Sequence, residues 1–263
     1  MVITGHHVVA ASIVLFNTRY SEVERLVDGL LRQGVARVFI VDNSPLRFDT
    51  VGASSLPQAV EMIRVDRNLG YGRAHNLAIR KSTPQFKYHI VCNPDIGLTP
   101  SVIETLVEYM DSHEDVGLCM PRLVGTDGLM QYCCRRSPVL WDYVSQIVFP
   151  KTLGADRREL LEMRDHDYGQ NMEVNCLSGC FMFFRTSVLN VLGGFDPQFF
   201  MYFEDFDLSM RAGRIARNIY LPVTHVVHER RSDHKRSWRL RFAFAFSAMR
   251  YFGKWGVFRT RLK

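Results

Sequence analysis

The six cysteines of this chain include no CxxC pair, and Cys133-Cys134 is an adjacent doublet that makes a poor disulfide scaffold. Such cysteine usage predicts a reducing cytoplasm. The opening segment, MVITGHHVVAASIVLF, has neither a basic n-region nor a typical cleavage site, so no signal peptide is expected. No run reaches the roughly 18 apolar residues of a spanning helix. There is no internal repeat, no linker and no G-x-G-x-x-G dinucleotide fingerprint.

What is present describes one folded body with a charged end. A length of 263 residues, 47% hydrophobic and 23% charged, suffices for a substantial core and leaves no room for long disorder. The net charge of +6 is unevenly placed. Residues 228–263 hold eleven Lys or Arg against two acids, a balance of +9, so the preceding 227 residues sum to −3. That asymmetry predicts a partner for the tail more than a basic active site.

The pattern along the first half is that of βαβ units. ASIVLFN (11–17) reads as a buried strand, and Ser21 and Glu24 have capping-box spacing. Val23, Leu26, Val27 and Leu30 then form the apolar stripe of a helix that Gly34 ends. Further strands are expected at 38–41, 62–66 and 89–95, with helices over RAHNLAIRK and after Thr99-Pro100, the latter burying Ile103, Leu106, Val107 and Met110. Short crossovers imply parallel pairing. VGLCMPRLV reads as another strand, and residues 125–172 read as irregular. CLSGCFMFFR is a strand running into a short helix, a helix ends near Ala212, and NIYLPVTHVVH is a last strand. One α/β domain with an elaborated C-terminal half is expected.

Ligands of an open parallel sheet lie beyond the carboxyl ends of its strands. Each expected strand empties into hydrogen-bonding side chains there: Asn17 and Thr18, then Asp42-Asn43-Ser44, then Asp66 to Asn68, then Asn93-Pro94-Asp95. Any one of these is also ordinary turn chemistry; the set of four is more than turns need. In NLGYGRAHN (68–76), Gly70 and Gly72 precede a helix, where backbone amides and Arg73 can face a phosphate, although a tight turn explains the glycines equally well. Asp95 ends an apolar strand behind a proline, a position suited to a divalent cation, Mg²⁺ or Mn²⁺, bridging two phosphates. His225 and His228 are an odd number of residues apart, so in a strand only one reaches that site; His228, at the strand's end, is favoured. The remaining puzzle is FFMYFEDFDLSMRAG (199–213), where Glu204, Asp205 and Asp207 follow a greasy run. Buried together, three carboxylates repel one another, so they either face solvent or do chemistry.

NTR at the first strand end, VDNS, NLGYGRAHN, CNPD, SGCFMFFR, GGFDPQFFMYFEDFDLSMRAGR and HVVH stand in the order seen in family 2 glycosyltransferases. From about Ala11 to His228 the chain resembles the bacterial rhamnosyltransferase-like branch that builds cell-surface polysaccharides. The resemblance implies a single Rossmann-like GT-A domain over 1–228, with a nucleotide-sugar half at 11–118 and an acceptor half at 119–228. It implies inverting transfer. Asp42 would contact the donor nucleobase, and Asn17, Thr18, Arg19, Asn68, Gly70, Arg73, Asn76, Asn93 and Asp95 would line the donor site. Asp95 and His228 would hold the metal, with Asn93 standing where many relatives have a first acid. Asp205 would be the general base, kept ionised by a helix start, with Glu204 beside it. Gly179 and Phe203 would join the two acids on the acceptor side, the aromatic run excluding water and stacking on sugars. Asp207 is expected to pair with Arg211.

A dTDP-sugar donor is favoured over a UDP-sugar, and a lipid-linked saccharide is the implied acceptor. The tail from Lys235 places Trp238, Phe242, Phe246 and Met249 at helical spacing, with Phe244 and Tyr251 broadening the face and Arg236, Arg239, Arg241 and Arg250 adding charge. Such a helix over 229–263 suits an anionic membrane at the inner face of the cell; packing on the body or a homodimer contact are the other readings, and nucleic acid is not expected. A sugar-nucleotidyl transferase would need a Gly- and Lys-rich loop after the first strand, where NTRYSEVE stands. A non-catalytic binding protein on the same fold would not need Asp42, Asp95, Asp205 and His228.

Overall fold

The structure, a computed structural model, describes residues 8–45, 49–51, 55–148, 153–229 and 238–257. The chain opens with β1 (Val9–Leu15), a helical turn at Tyr20–Glu22, α1 (Glu24–Arg32), β2 (Arg37–Asp42), β3 (Val60–Arg64) and α2 (Tyr71–Ser82). Then come β4 (Tyr88–Cys92), β5 (Ile96–Leu98), α3 (Val102–Ser112) and β6 (Val116–Val124). The second half holds β7 (Met130–Gln131), β8 (Cys134–Arg135), α4 (Leu140–Val148), α5 (Leu153–Leu161), β9 (Met172–Glu173) and β10 (Cys176–Leu177). It closes with β11 (Phe181–Arg185), α6 (Thr186–Leu192), α7 (Glu204–Ala212), β12 (Arg217–His228) and α8 (Trp238–Trp255).

The central sheet runs β3-β2-β1-β4-β11-β6-β12-β5. Its first four strands are parallel, as short apolar runs joined by helices demand. β11 enters antiparallel between β4 and β6, and β12 lies parallel to β6. Strand ends that carry Asp42, Asn93 and Gly179 therefore meet along one edge of the sheet. The α1 stripe is buried as its spacing requires, with Val23, Leu26, Val27 and Leu30 all under the surface. The capping box differs from the sequence expectation: Glu22 accepts the Arg19 amide at 2.9 Å, and α1 itself starts only at Glu24. Residues 125–172, expected to be irregular, contain β7, β8, α4 and α5. Two-residue strands and a pair of short helices leave too little periodicity to read.

β12 is not a plain alternating strand. Pro121 and Pro222, each lacking a ladder donor, fall where its register against β6 slips between Leu221 and His225. Beyond the slip His225 is exposed, and its carbonyl accepts the Thr99 hydroxyl, while His228 pairs in register with Ile96 next to Asp95.

A second apolar cluster lies beside the main core. Cys176, Phe199, Phe203 and Met210 pack against Tyr251, Phe252 and Trp255 of α8. Burying those three α8 side chains is worth roughly 5 kcal/mol or more at about 1.5–3 kcal/mol each. α8 is thus docked on the body by one face, the reading that the sequence had set beside membrane association. Arg236, with the rest of 230–237 and 258–263, lies outside the described residues.

Candidate functional site

Three clusters gather along the carboxyl edge of the sheet. The first laces the ends of β1, β2 and β3. Asp42, 3% exposed, accepts the Ser44 amide at 2.9 Å on one oxygen and the Thr50 hydroxyl on the other. Ser44 Oγ accepts the Asn17 amide at 2.8 Å, and Asn17 sits at φ 53°. Asp66, at the end of β3, also has a positive φ, 61°. Left-handed non-glycine residues at two strand ends are strained conformations of the kind concentrated at functional sites. Thr18 Oγ1 donates to the Phe16 carbonyl at 3.2 Å, and the Arg19 side chain is exposed. Phe16 itself, which the sequence reading passed over as strand interior, is 49% exposed between these polar groups. An aromatic at a strand end, next to Asn17, was the available signal.

The NLGYGRAHN segment serves a different purpose from the phosphate loop considered from sequence. Gly70 has φ +86°, and a Cβ there would stand 2.0 Å from the Phe200 carbonyl oxygen, which accepts the Tyr71 amide at 3.1 Å. The first amide of α2 is therefore spent inside the protein. Asn76 is 5% exposed and commits both side-chain atoms to Phe195, at 2.7 and 2.8 Å. Arg73 Nε donates to the Pro197 carbonyl, and Asn68 accepts the Gly70 amide at 2.8 Å. Gly70, Arg73 and Asn76 thus clamp the 195–200 segment onto α2. The clamp takes the Asn76 side chain away from its expected place on the donor, while Arg73, exposed, gives it Nε and carries two further guanidinium nitrogens.

The second cluster is Asp95, His228 and Gln131. His228 Nε2 lies 3.5 Å from Asp95 Oδ1. The Gln131 amide donates Nε2–H to the His228 carbonyl at 3.0 Å, so its Oε1 is the atom 2.8 Å from His228 Nδ1. Gln131 therefore accepts the Nδ1 proton, and in the neutral ring Nε2 presents a lone pair towards Asp95. Asp95 Oδ1 is shielded from solvent and makes no hydrogen bond. With the ring neutral, the pair offers a nitrogen and a carboxylate oxygen that suit a divalent ion, with Gln131 orienting the histidine from behind; a proton on Nε2 makes them an ion pair instead. Among the described residues no group of three or more His, Cys, Asp or Glu converges. Asn93, on the same loop, donates its amide to the Cys180 carbonyl at 2.9 Å, and its side chain is half-buried.

That hydrogen bond joins the second cluster to the third. Gly179, next to Cys180, donates its amide to Asp205 Oδ2 at 2.8 Å and accepts Tyr71 Oη at 2.5 Å. Asp205 Oδ1 accepts the Phe206 amide at 2.9 Å. Burial chiefly, with Cys133, Asp205 and Asp95 contributing, pushes the Cys180 thiol up to about 12, so this sulfur stays protonated and inert. Tyr202 and Phe203, at φ 72° and 64°, make two consecutive left-handed residues that turn the chain into α7. Phe203 is buried against Phe206, Phe244, Tyr251 and Phe252. Its expected acceptor contact is therefore corrected: the side chain packs under α8, and of the aromatic run only Phe200 and Tyr202 are partly exposed.

The three acids of α7 divide by environment. Asp207 is fully buried and paired with Arg211 at 2.8 Å, as its spacing predicts. Glu204 is buried with Oε2 unpartnered, and burial, with repulsion from Asp205, pushes its carboxyl up to about 8. Burial also raises Asp205, against the expectation that a helix start would keep it low, though its two backbone donors oppose the shift. Burial and mutual repulsion thus disfavour two charges on this pair, and the two backbone donors favour the charge on Asp205. A group held neutral in the fold stabilises it fully below its ordinary value near 4.5, and that contribution is lost as pH rises towards 8. Thermal unfolding of Glu204→Gln should consequently lose less stability than wild type between those limits, the difference growing by up to about 1.4 kcal/mol per pH unit. Parallel curves would overturn the assignment.

His228 and Gln131 also line a cleft of about 450 Å³ together with Asp127, Arg158, Glu162 and Arg164, whose acids and arginines balance in charge. Glu162 is shared by Arg135, Arg158 and Arg164.

Residues 11–193 match the model of glycosyl transferase family 2. The chain belongs to that family. An N-acetylglucosaminyl-diphospho-decaprenol L-rhamnosyltransferase of Mycobacterium tuberculosis is 29% identical over 210 residues, 71% of this chain and 66% of that protein's length. Rhamnosyltransferase WbbL of Escherichia coli is 26% identical over 193 residues, 68% of this chain and 70% of that protein. Among solved structures, mannosyltransferase PcManGT from Pyrobaculum calidifontis in complex with GDP-Man and Mn²⁺ aligns at TM-score 0.61 and 15% identity, covering 98% of this chain and 67% of that one. GalNAc-T7 with UDP, GalNAc and Mn²⁺ aligns at TM-score 0.61 and 14% identity, covering 86% and 44%. The fold of this family 2 chain is the GT-A fold. The family match extends over all three clusters except α7 and the end of β12, so Asp205 and His228 stand on the chain's own geometry.

Proposed function

We propose that this family 2 protein is an inverting glycosyltransferase that moves L-rhamnose from dTDP-rhamnose to a hydroxyl of a lipid-linked saccharide. One observation carries the reading: Asp205 is aimed by two backbone amides beside the buried Glu204, across the Asn93–Cys180 bond from Asp95 and His228. A base and a diphosphate site facing each other are what a single in-line displacement requires.

The acceptor hydroxyl gives its proton to Asp205 as its oxygen bonds the anomeric carbon, and the bond from that carbon to the diphosphate breaks with the electron pair leaving on phosphate oxygen. Asp95 and His228 would hold Mg²⁺ or Mn²⁺, which when bound neutralises charge on the departing diphosphate. Asp42 would meet the nucleobase edge and Phe16 its face. The names of the mycobacterial and E. coli relatives support rhamnose as the sugar and a prenyl-linked saccharide as the acceptor.

Calorimetry of dTDP, UDP and GDP, with and without Mg²⁺ or Mn²⁺, tests the donor site. Metal-dependent dTDP binding is expected, with Asp95→Ala abolishing it and Gln131→Leu weakening it about 10–100-fold through the loosened histidine. Preference for UDP would overturn the rhamnose donor. Absence of nucleotide binding would overturn transfer altogether.

A further inference from the structure

α8 has two faces of opposite character. Tyr251, Phe252 and Trp255 are buried in the body, and Ser247 Oγ donates to the Met201 carbonyl at 2.8 Å. On the outer side Trp238, Phe242, Phe246 and Met249 are 65%, 60%, 68% and 63% exposed. At about 100° per residue these four lie within an arc of about 80° and run for roughly 17 Å along the helix. Among the described residues, no element packs over Phe242, Phe246 or Met249. Leu140 and Trp141, at the start of α4, add two more exposed apolar side chains where the Leu140 amide meets the Val257 carbonyl beyond the end of α8.

Four large apolar side chains in a row on one exposed helix face are more than scattered surface hydrophobics. Charge identifies the occupant. From Trp238 onward the chain contains no Asp or Glu, and Arg241 and Arg250 are exposed to either side of the stripe. A two-fold contact between copies through this face would set these arginines against one another with no acid of the helix to offset them. An anionic bilayer surface complements the arginines and accepts the aromatic side chains between its headgroups.

We infer that the outer face of α8 is a membrane-docking surface that seats the enzyme on anionic lipid through Phe242, Phe246 and Met249, with Arg241 at its flank. The inner face holds the catalytic body to the same helix, so the docked orientation is passed rigidly to α7 through Trp255 and Asp207, 2.9 Å apart. This goes beyond the transfer reaction and does not depend on which sugar is moved.

The test is co-sedimentation of the full chain with phosphatidylcholine vesicles and with vesicles containing about 30% phosphatidylglycerol, a strongly anionic surface. Wild type is expected to sediment with the anionic vesicles and little with the neutral ones. Phe242→Ser/Phe246→Ser/Met249→Ser should lose at least about tenfold in partition, and Arg241→Ser about fivefold on anionic vesicles only. Because the substituted side chains face solvent, the triple variant should keep wild-type thermal unfolding and nucleotide binding. Retained binding with lost sedimentation therefore separates this inference from the donor-site reading. Equal sedimentation of wild type and triple variant would overturn it. So would a wild type that ignores vesicles but dimerises through this face, as sedimentation velocity would reveal.

Discussion

Asp205→Asn should lower the turnover of glycosyl transfer by about 10²–10⁴-fold while leaving the affinity for the donor nucleotide unchanged. The reasoning is geometric. The two carboxylate oxygens of Asp205 accept from Gly179 and Phe206, which fixes the carboxylate while leaving lone pairs for an acceptor hydroxyl. Asparagine keeps one of these acceptors and loses the charge that takes the proton. It also leaves one backbone amide without its partner, at a cost of about 1–3 kcal/mol, so the variant should be a less stable but folded protein. Asp205→Glu restores the charge but displaces it by one methylene, and a displacement of that size costs about 10²-fold. Steady-state transfer rates with calorimetry of dTDP on the same preparations decide the matter. A variant with full turnover would remove Asp205 from the chemistry, and one that no longer bound dTDP would point to a structural role. Since burial raises Asp205, the acid limb of the rate profile should lie above that of an ordinary aspartate.

Asp207→Ala is expected to cost the most stability, about 3–5 kcal/mol in chemical denaturation. Its carboxylate is fully buried and holds Arg211 Nε at 2.8 Å, Lys254 Nζ at 2.7 Å and Trp255 Nε1 at 2.9 Å. Removing it leaves the buried Arg211 guanidinium without a carboxylate and takes the buried acceptor from Trp255, while Lys254 keeps Asp196 at 2.8 Å. The loss should loosen α8 from α7, visible as a change in tryptophan fluorescence. Asp207→Asn, which retains an acceptor for Trp255, should lose less. Equal stability of Asp207→Ala and wild type would mean that α8 is held by its apolar face alone.

Much of this architecture was legible because the signals were local. Alternation of short apolar runs with 3.6-periodic stripes is enough to read β1 to α3, and strand-end polar residues are enough to point at Asp42 and Asp95. The pairing of Asp207 with Arg211 follows from four-residue spacing on one helix. What stayed hidden depended on distant backbone. Gly70, Arg73 and Asn76 look like a phosphate loop in one dimension; the Phe195–Phe200 segment, more than a hundred residues on, packs against Gly70, takes Arg73 Nε and holds both side-chain atoms of Asn76. Gln131 sits in a two-residue strand with no pattern of its own, and becomes meaningful only against His228. Phe203 reads as part of a sugar-facing wall until α8 covers it.

By itself, then, the sequence determined the elements, the carboxyl edge on which polar residues collect, and the clustering of acids and arginines. Those features arise from residue periodicity and charge, which act between neighbours. Only the tertiary structure decided that the Glu204–Asp205 pair is buried, that Gln131 backs His228 and which face of α8 remains outside. Each of those outcomes rests on desolvation and on partners brought from far along the chain, and neither is encoded at the residue it controls.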